Sequence, residues 1–437
     1  MRIVLDLQAC QTSGSRFRGI GRSTWAFTRA MLKRGSRHEF RVMLNGAFPD
    51  SLPDLRRELR DLVPPSRIHE WEVPGPTAAA DPANAWRSCS GEVLREAFVD
   101  SLQPDWLHMG SLFEGFGDDA IASVPVDAAA APVAITLHDL IPWLYPEIYL
   151  PSPQAKAWYA RRLDSLKRAR LLFAVSAHTR REAIDQLDLQ PSRIVNVSSS
   201  VDAGFVRLSV CGPAQDAVRT AAGIVRPFVM YTGGVDRHKN VEGLVRAFAG
   251  LPVACRTAHQ LVLVGKASDA DRERLVRLAR QAGLRDGDLV LTGFVSDEDL
   301  VALYNLCKLF VFPSWHEGFG LPALEAMACG APVIASNTSS LPEVVGRSDA
   351  LFDPHDEEAM AGLMSRVLED AGFRRSLSER GLERAKQFSW DESARRALEA
   401  MEAVHEERSA RRLESMHAPR PADSARASEE LNRAHRS

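Results

Sequence analysis

The sequence has few cysteines, and they are not arranged as metal ligands. Its six cysteines, spread over 437 residues, form no Cys-x-x-Cys pair and show no cysteine–histidine spacing of the kind that binds zinc. This scatter argues against a zinc site and favours a reducing compartment, where thiols stay free. The chain begins Met-Arg-Ile-Val-Leu-Asp and enters a predicted strand directly, so we expect no signal peptide and a cytoplasmic protein.

The sequence also lacks long apolar runs and any strong excess of charge. No stretch is apolar over enough residues to cross a bilayer, and the formal net charge is −3. A nearly neutral chain has no general attraction to nucleic acid, so we expect no nucleic-acid partner. The basic residues within 161–170 are interpreted as a solvated helix face, and peripheral contact with an anionic membrane surface stays open as the alternative.

Short apolar runs alternate with helical patterns through both halves of the chain. Runs such as 133–137 and 228–232 are rich in β-formers and too short for helices, which is typical of buried parallel strands. This alternation without hairpins predicts an α/β fold with parallel sheets flanked by helices. Residues 198–211 show no clear period and suit a linker, so we predict a Rossmann-like domain over 1–205 and another over 206–387.

A first glycine-containing loop is predicted near the N-terminus. Gly19 and Gly21 follow the first strand and precede a helix that we expect to begin at Thr24. The dinucleotide-binding pattern is not met, because threonine stands at position 24, where its third glycine falls. Residues 72–91, rich in proline, alanine and serine, are predicted to form a surface loop.

A second glycine-containing stretch carries the most specific pattern. Residues 316–325 read His-Glu-Gly-Phe-Gly-Leu-Pro-Ala-Leu-Glu and follow the predicted strand 309–314. Its two glycines let a ligand approach the backbone closely, and Pro322 suits the first position of a helix. This loop lies at the carboxyl edge of a parallel sheet and leads into a helix N-terminus. We therefore predict an anion-binding site.

Two carboxylates flank this anion site. Glu317 lies at the start of the loop, and Glu325 is expected in the first turn of the following helix. An acidic group beside a phosphate site makes sense where the ligand also offers hydroxyl groups, which carboxylates accept hydrogen bonds from. A ligand with a phosphate and several hydroxyls indicates a nucleotide sugar.

Together these residues resemble a known family. Glu317 and Glu325, with seven residues between them, resemble the E-x7-E signature of retaining glycosyltransferases of the GT4 type. The resemblance extends to about residue 406. It implies the GT-B architecture, in which two Rossmann-like domains face each other across a cleft and a helix, here 388–406, crosses back to the first domain. The remainder, 407–437, has almost no large apolar residues and is predicted to be a frayed helix or a disordered tail.

The resemblance also implies roles for individual residues. Glu325 is expected to bind the ribose hydroxyls and Glu317 a hydroxyl of the sugar. The donor-binding set that we predict is Gly19, Gly21, Gly233, Gly234, Gly318, Phe319, Gly320, Leu321 and Glu325. The catalytic set that we predict is His138, Arg237, Lys239 and Glu317.

Two cations in the family bind the diphosphate of the donor. Lys239 matches the family lysine. Gly234 stands where many members have the arginine and His238 where a close subgroup has it, so Arg237 is taken as the substitute. Such a cation stabilises the charge on the leaving diphosphate by several kcal/mol. His138, at a strand end, resembles the histidine that members place near the reacting centre, where its carbonyl or its imidazole supports the cationic sugar.

No metal or other cofactor is expected. The triplets Asp269-Ala270-Asp271 and Asp286-Gly287-Asp288 have the Asp-x-Asp form that holds a divalent metal in another glycosyltransferase fold. The first precedes a predicted helix and is interpreted as an N-cap, and the second as a turn before a strand.

The variants of these motifs resemble bacterial mannosyltransferases that build O-antigen, capsule or exopolysaccharide. We therefore expect a GDP- or UDP-linked donor, with GDP-mannose preferred, and a saccharide or lipid-linked saccharide acceptor at the inner face of the cytoplasmic membrane. Two alternatives stay open. One is a catalytically silent partner subunit that binds nucleotide sugar, and the other is a sugar-nucleotide 2-epimerase or a phosphorylase of similar fold.

Overall fold

The computed structural model describes residues 1–127, 129–209 and 212–417. Within these residues, one sheet belongs to the first half of the chain and has seven parallel strands in the order β3-β2-β1-β4-β5-β6-β7. Its strands are β1 Arg2–Asp6, β2 Glu39–Asn45, β3 Ile68–Trp71, β4 Trp106–Met109, β5 Val133–Leu137, β6 Leu171–Ala174 and β7 Ile194–Asn196.

Helices cover both faces of this sheet. They are α1 Gly19–Arg34, α2 Leu52–Leu59, α3 Ala85–Ser101, α4 Ile141–Leu144, α5 Pro146–Tyr149, α6 Pro153–Arg168 and α7 Ala177–Leu187. Because both faces are covered, strands such as β4 and β5 are buried along their whole length, which is why they read as continuous apolar runs.

Two predictions for this domain are wrong. Helix α1 begins at Gly19 rather than Thr24, so Gly19 and Gly21 lie in its first turn and not in a loop. Gly21 is needed there because a Cβ would overlap the carbonyl oxygen of Ser15, which accepts the hydrogen bond of the Gly21 amide. The predicted surface loop 72–91 ends early, since α3 starts at Ala85.

Helix α3 was not predicted from the sequence because its buried face is not apolar. The side that faces the sheet carries Ser88, Gly91 and Arg95, and only Val99 is a typical core residue. Arg95 is fully buried and donates to Asp6 Oδ2 at 2.5 Å, so an ion pair takes the place of the expected apolar contact. A helical period of apolar residues is therefore absent from the sequence of this segment.

The second half repeats the architecture with six parallel strands in the described residues, in the order β10-β9-β8-β11-β12-β13. They are β8 Phe228–Thr232, β9 Gln260–Val264, β10 Leu289–Gly293, β11 Leu309–Phe312, β12 Val333–Ser336 and β13 Leu351–Phe352. The helices are α8 Pro213–Ala221, α9 Val241–Ala249, α10 Val253–Ala258, α11 Asp269–Gln281, α12 Asp297–Leu306, α13 Leu321–Ala328, α14 Leu341–Val345, α15 Glu357–Glu369 and α16 Ala371–Ala385. The predicted α/β class with parallel sheets is confirmed.

The last helix, α17 Trp390–His417, returns to the first half of the chain. Ala394, Leu398 and Met401 join the core on one face of the first sheet, and Trp106 donates to the Met401 carbonyl at 3.2 Å. Residues 407–417 are helical, which is one of the two forms predicted for this segment, and 418–437 lie outside the described residues. No helix in the described part of the chain is both long and apolar enough to cross a membrane.

The strand order reverses once in each sheet, between β1 and β4 and between β8 and β11. In open parallel sheets, ligands bind beyond the carboxyl ends of the strands at such a reversal, because the loops diverge there. The segments that follow β1, β8 and β11 lead to Gly19, Lys239 and Glu317, respectively. The fold thus brings the predicted site residues of both domains to the reversal points.

Candidate active site

The loop between β11 and α13 forms the second-domain wall of the site. Gly320 caps α13 with a φ of +104°, a conformation that favours glycine, and Pro322 lies in the first turn. The first amides of a helix have no partner within it, so α13 presents donors and the positive end of its dipole. Glu325 lies in the second turn of α13, not in the first as predicted, and its side chain is buried.

Lys239 and Glu317 form an ion pair between the loops that follow the central strands. Lys239 Nζ lies 2.7 Å from Glu317 Oε1 and 3.0 Å from Oε2. Burial raises the pKa of Glu317, but the positive charge of Lys239 outweighs it, so this pKa lies below its usual value. The site therefore holds a carboxylate and an ammonium whose charges balance until an anion competes for the lysine.

Glu325 is held by one residue of each domain. Tyr304 donates to its Oε2 at 3.0 Å, and Arg22 Nη2 of helix α1 lies 3.6 Å from its Oε1. Arg22 also lies 3.5 Å from Asp297 and its guanidinium stacks on the ring of Phe205. Burial raises the pKa of Glu325, and the charge of Arg22 opposes that rise.

His138 and Gly318 bring the two domains into direct contact. A Cβ at Gly318 would overlap the carbonyl oxygen of His138, so only glycine fits at this position. Thr179 Oγ1 donates to the Gly318 carbonyl at 3.0 Å and lies 3.4 Å from the His138 carbonyl. Since that carbonyl is enclosed by Gly318 and Thr179, the imidazole is the freer of the two His138 groups.

The imidazole of His138 is neutral. Its Nε2 lies 2.9 Å from the Gly110 carbonyl, and burial lowers its pKa. Burial also raises the pKa of the neighbouring Asp139, whose Oδ1 accepts the amide of Ile141 at 3.0 Å. If Nε2 carries the proton that bonds this carbonyl, Nδ1 is an unprotonated acceptor, and a neutral, oriented imidazole of this kind can stabilise a developing positive charge.

The loop after β8 places its residues differently. Gly233 has a φ of +146°, and Gly234 accepts the hydroxyl of Tyr231 at 2.7 Å, so these glycines shape a tight turn. Arg237 is exposed and makes no ion pair with any residue that the structure describes. His238 is buried, and its Nδ1 forms a hydrogen bond with the hydroxyl of Tyr149 from the first domain.

Other predicted residues have a structural place. Phe319 is buried in the second core, with its ring 5.5 Å from that of Phe388, so only its backbone is available to a ligand. Leu321 is the half-buried first residue of α13. In the first Asp-x-Asp triplet the N-cap is Ser268 rather than an aspartate, and in the second Asp288 accepts from Arg226 at 2.7 Å.

Three residues around the site were missed from the sequence: Arg22, Tyr149 and Thr179. Arg22 directly follows the two glycines of the first motif, so its position was a usable signal. Tyr149 contacts His238, 89 residues away in the chain, and Thr179 contacts Gly318, 139 residues away. No local sequence pattern predicts either contact.

The arrangement suits a ligand with a diphosphate and several hydroxyls. Lys239 and the first amides of α13 supply positive potential, and Glu317 and Glu325 supply hydrogen-bond acceptors. His138 lies on the first-domain side of the site. These groups come from both domains, so a ligand bound among them would be held in a fixed orientation, as a group transfer requires.

Comparison with known proteins decides the family. Residues 17–205 match the family model described as Glycosyltransferase Family 4, and residues 219–384 match Glycosyl transferases group 1. The O-antigen chain mannosyltransferase B of Escherichia coli is 35% identical over 267 residues, which cover 61% of this chain and 68% of that protein. The chain belongs to the family 4 glycosyltransferases.

Another relative in the family is longer than this chain. The serotype-specific mannosyltransferase WbdA of Escherichia coli is 37% identical over 400 residues, which cover 91% of this chain but 48% of that protein. The chain thus spans about half the length of this curated relative.

Solved structures agree on the fold. Sucrose-phosphate synthase from Thermosynechococcus elongatus superimposes with a TM-score of 0.69 at 20% identity, over 92% of this chain and 99% of the other. Anabaena HepE in complex with UDP-glucose gives 0.64 at 17% identity, over 92% and 100%. At this identity the likeness concerns the fold, and it confirms the predicted GT-B architecture of this family 4 member.

Proposed function

We propose that the chain is a retaining glycosyltransferase that transfers mannose from GDP-mannose to a hydroxyl of a saccharide or lipid-linked saccharide. The observation that carries this proposal is the Lys239–Glu317 pair at the N-terminus of α13, directly opposite His138 of the other domain. Relatives named as O-antigen and serotype-specific mannosyltransferases support the choice of mannose and of O-antigen synthesis. The acceptor implies work at the cytoplasmic face of the membrane.

The reaction breaks the bond between the anomeric carbon and the diphosphate and forms a bond from that carbon to the acceptor oxygen on the same face. The acceptor proton passes to the leaving phosphate oxygen. Lys239 leaves Glu317 to neutralise the diphosphate, with Arg237 as the second cation, while Glu317 accepts a hydroxyl of the sugar. The imidazole of His138 supports the positive sugar, and no metal takes part. Preorganised charges of this kind contribute several kcal/mol to the lowering of the barrier.

Purified chain incubated with GDP- and UDP-sugars tests the proposal. We expect slow release of free nucleotide from GDP-mannose, transfer of the sugar when a mannoside is added, and a loss of about 10²–10³-fold with Lys239→Ala. Lys308→Ala is the matched control. Lys308 is exposed and directly precedes β11, so it lies at the amino ends of the strands, whereas the site lies at their carboxyl ends.

The same assay separates the alternatives. Saturable binding of a donor without nucleotide release from any donor indicates a silent partner subunit. The feature that favours it is Arg237, which is exposed and has no ion pair among the residues that the structure describes. A product inverted at C2 without any acceptor indicates an epimerase. Activity that survives Lys239→Ala contradicts the proposed roles.

A further inference from the structure

Three metal-ligating side chains meet at the interface between the domains, outside the set used in the proposed reaction. His178 and Glu182 lie one turn apart on α7 of the first domain, and His316 comes from the second domain. One ligand atom from each lies within 4.8 Å of the other two. The absence of cysteine–histidine spacing in the sequence does not bear on this cluster, because the fold assembles it from both domains.

The distances within the cluster match those around a small divalent ion. Glu182 Oε1 lies 3.1 Å from His178 Nε2 and 3.0 Å from His316 Nε2. A tetrahedral ion at about 2.0–2.1 Å from its ligands separates neighbouring ligand atoms by about 3.3 Å. The two histidine–glutamate separations are close to this value, and the two ring nitrogens lie within 4.8 Å of each other, so the three atoms can converge on one ion.

The polar atoms of this cluster have few partners in the described part of the chain. Glu182 Oε2 is buried without a hydrogen-bond partner, and the Nε2 atoms of His178 and His316 contact Glu182 Oε1 without good hydrogen-bond alignment. The His316 side chain is 9% exposed. Buried polar atoms in native proteins are almost always satisfied, and one ion bound by the carboxylate and both rings would satisfy these atoms.

The surroundings hold the cluster in place before any ion binds. Glu343 of α14 accepts the amides of Ala177 and His178 at 2.9 and 3.2 Å, which docks the first turn of α7 on the second domain. The ring of Tyr145 packs edge-on against His316.

We propose that His178, Glu182 and His316 form a binding site for a divalent transition-metal ion, with zinc as the best fit, that clamps the two domains together. Two imidazoles and one carboxylate are a donor set that zinc uses, and imidazole suits several first-row metals. The ion joins α7 to the residue directly before Glu317 and so fixes the start of the donor loop. Its role is structural, and it does not depend on the proposed transfer reaction.

Metal binding by the full chain tests this proposal independently of activity. Chelator-treated protein is titrated with Zn²⁺ in competition with a chromophoric chelator, and Co²⁺ is added separately to record its ligand-field absorption. We expect one ion per chain, an absorption band typical of low coordination number, and a rise in melting temperature on addition of Zn²⁺. His178→Ala and Glu182→Gln should each weaken binding by more than the 10–100-fold that loss of an outer-shell partner causes.

His259→Ala is the matched control. His259 directly precedes β9, at the amino ends of the strands of the second sheet, and its Nδ1 hydrogen-bonds to the Cys255 carbonyl. Its zinc affinity should equal that of the unmodified chain. The proposal is overturned if the unmodified chain binds no zinc at micromolar concentration, or if Glu182→Gln, which keeps the shape of the side chain, binds zinc as tightly as the unmodified protein. Equal melting-temperature shifts in Glu182→Gln and the unmodified chain also overturn it.

Discussion

The ammonium of Lys239 contacts both carboxylate oxygens of Glu317, at 2.7 and 3.0 Å, across the reversal point of the second sheet. Only 9% of the Glu317 side chain is exposed, and among the described residues Lys239 is the group that most stabilises its charge. Removal of one member of a buried pair leaves the other charged and desolvated, whereas removal of both avoids that cost. The pair is therefore a condition of stability in the free protein, in addition to its proposed role with the donor.

Lys239→Met should destabilise the chain by about 3 kcal/mol, the low end of the range for a broken buried pair, because the lysine is one-fifth exposed. The double variant with Glu317→Gln should recover most of this loss. Denaturant unfolding of both single variants and the double variant gives the coupling energy. Strictly additive effects would show that the pair contributes nothing.

Gly318→Ala should separate the two domains at the site. The new methyl group overlaps the His138 carbonyl oxygen, so the backbone must move, and a displacement of about 1 Å costs on the order of 10²-fold in rate. Nucleotide release from the donor measures the loss. Gly362→Ala is the control, because a Cβ there meets no atom within 4 Å and alanine favours the helix. Equal activities in the two variants would contradict the contact.

The central strands were predictable because they are covered on both faces. Val133–Leu137 and Phe228–Thr232 were predicted with their observed bounds, since full burial leaves a continuous apolar run. Strand β3 was missed because it lies at the sheet edge, where three of its four residues are not fully buried. Helix α3 was missed because a buried arginine replaces the apolar residue that marks a helix face.

The second-domain part of the candidate site was predictable because it is contiguous in the sequence. Glu317, the glycines and Glu325 lie within one strand–loop–helix unit, and local rules place them at a sheet edge. The contacts across the domains were not predictable, because they join residues far apart in the chain. Thr179 with Gly318 and Tyr149 with His238 become neighbours only once both sheets are positioned.

The free energy of unfolding should decrease as the pH is lowered, and His238, the histidine next to Tyr149, should be the cause. Burial, with help from the charge of Lys239, lowers the pKa of His238 to about 4, against 6.5 for a free histidine. The Tyr149 hydroxyl lies at hydrogen-bond distance from its Nδ1 and can pair with either form of the ring, so the preference of the folded state for the neutral ring comes from burial and from the charge of Lys239. Between pH 6.5 and about 4, His238 is protonated in the unfolded chain but still neutral in the folded chain. The free energy of unfolding therefore decreases as the pH falls.

The loss due to His238 should reach on the order of 3 kcal/mol near pH 4, given about 1.4 kcal/mol for each pH unit of the interval. His238→Asn keeps an acceptor near the position of Nδ1 but does not titrate. Unfolding free energies measured from pH 7.5 to 4.5 should therefore decline less steeply in this variant. Parallel curves for the two proteins would exclude His238 as the source.

Arg22→Gln should weaken the donor site more strongly at acidic pH. Arg22 lies 3.6 Å from Glu325, and its charge holds down a pKa that burial raises. Without it the carboxylate takes up a proton at a higher pH and accepts hydrogen bonds less well, which would weaken its proposed contact with the ribose hydroxyls of the donor. Since the arginine is about one-third exposed, we expect a loss of roughly tenfold in kcat/KM for the donor at neutral pH, or about 1.4 kcal/mol.

The deficit of Arg22→Gln should grow as the pH is lowered from 8.5 to 5.5, because a falling share of Glu325 stays ionised. Nucleotide release at subsaturating donor over this range measures it. Arg34→Gln is the matched control, since Arg34 lies on the same helix and pairs with Asp391 of α17, away from Glu325. A deficit that is constant over this pH range would mean that Arg22 acts by contact with the donor itself and not through the ionisation of Glu325.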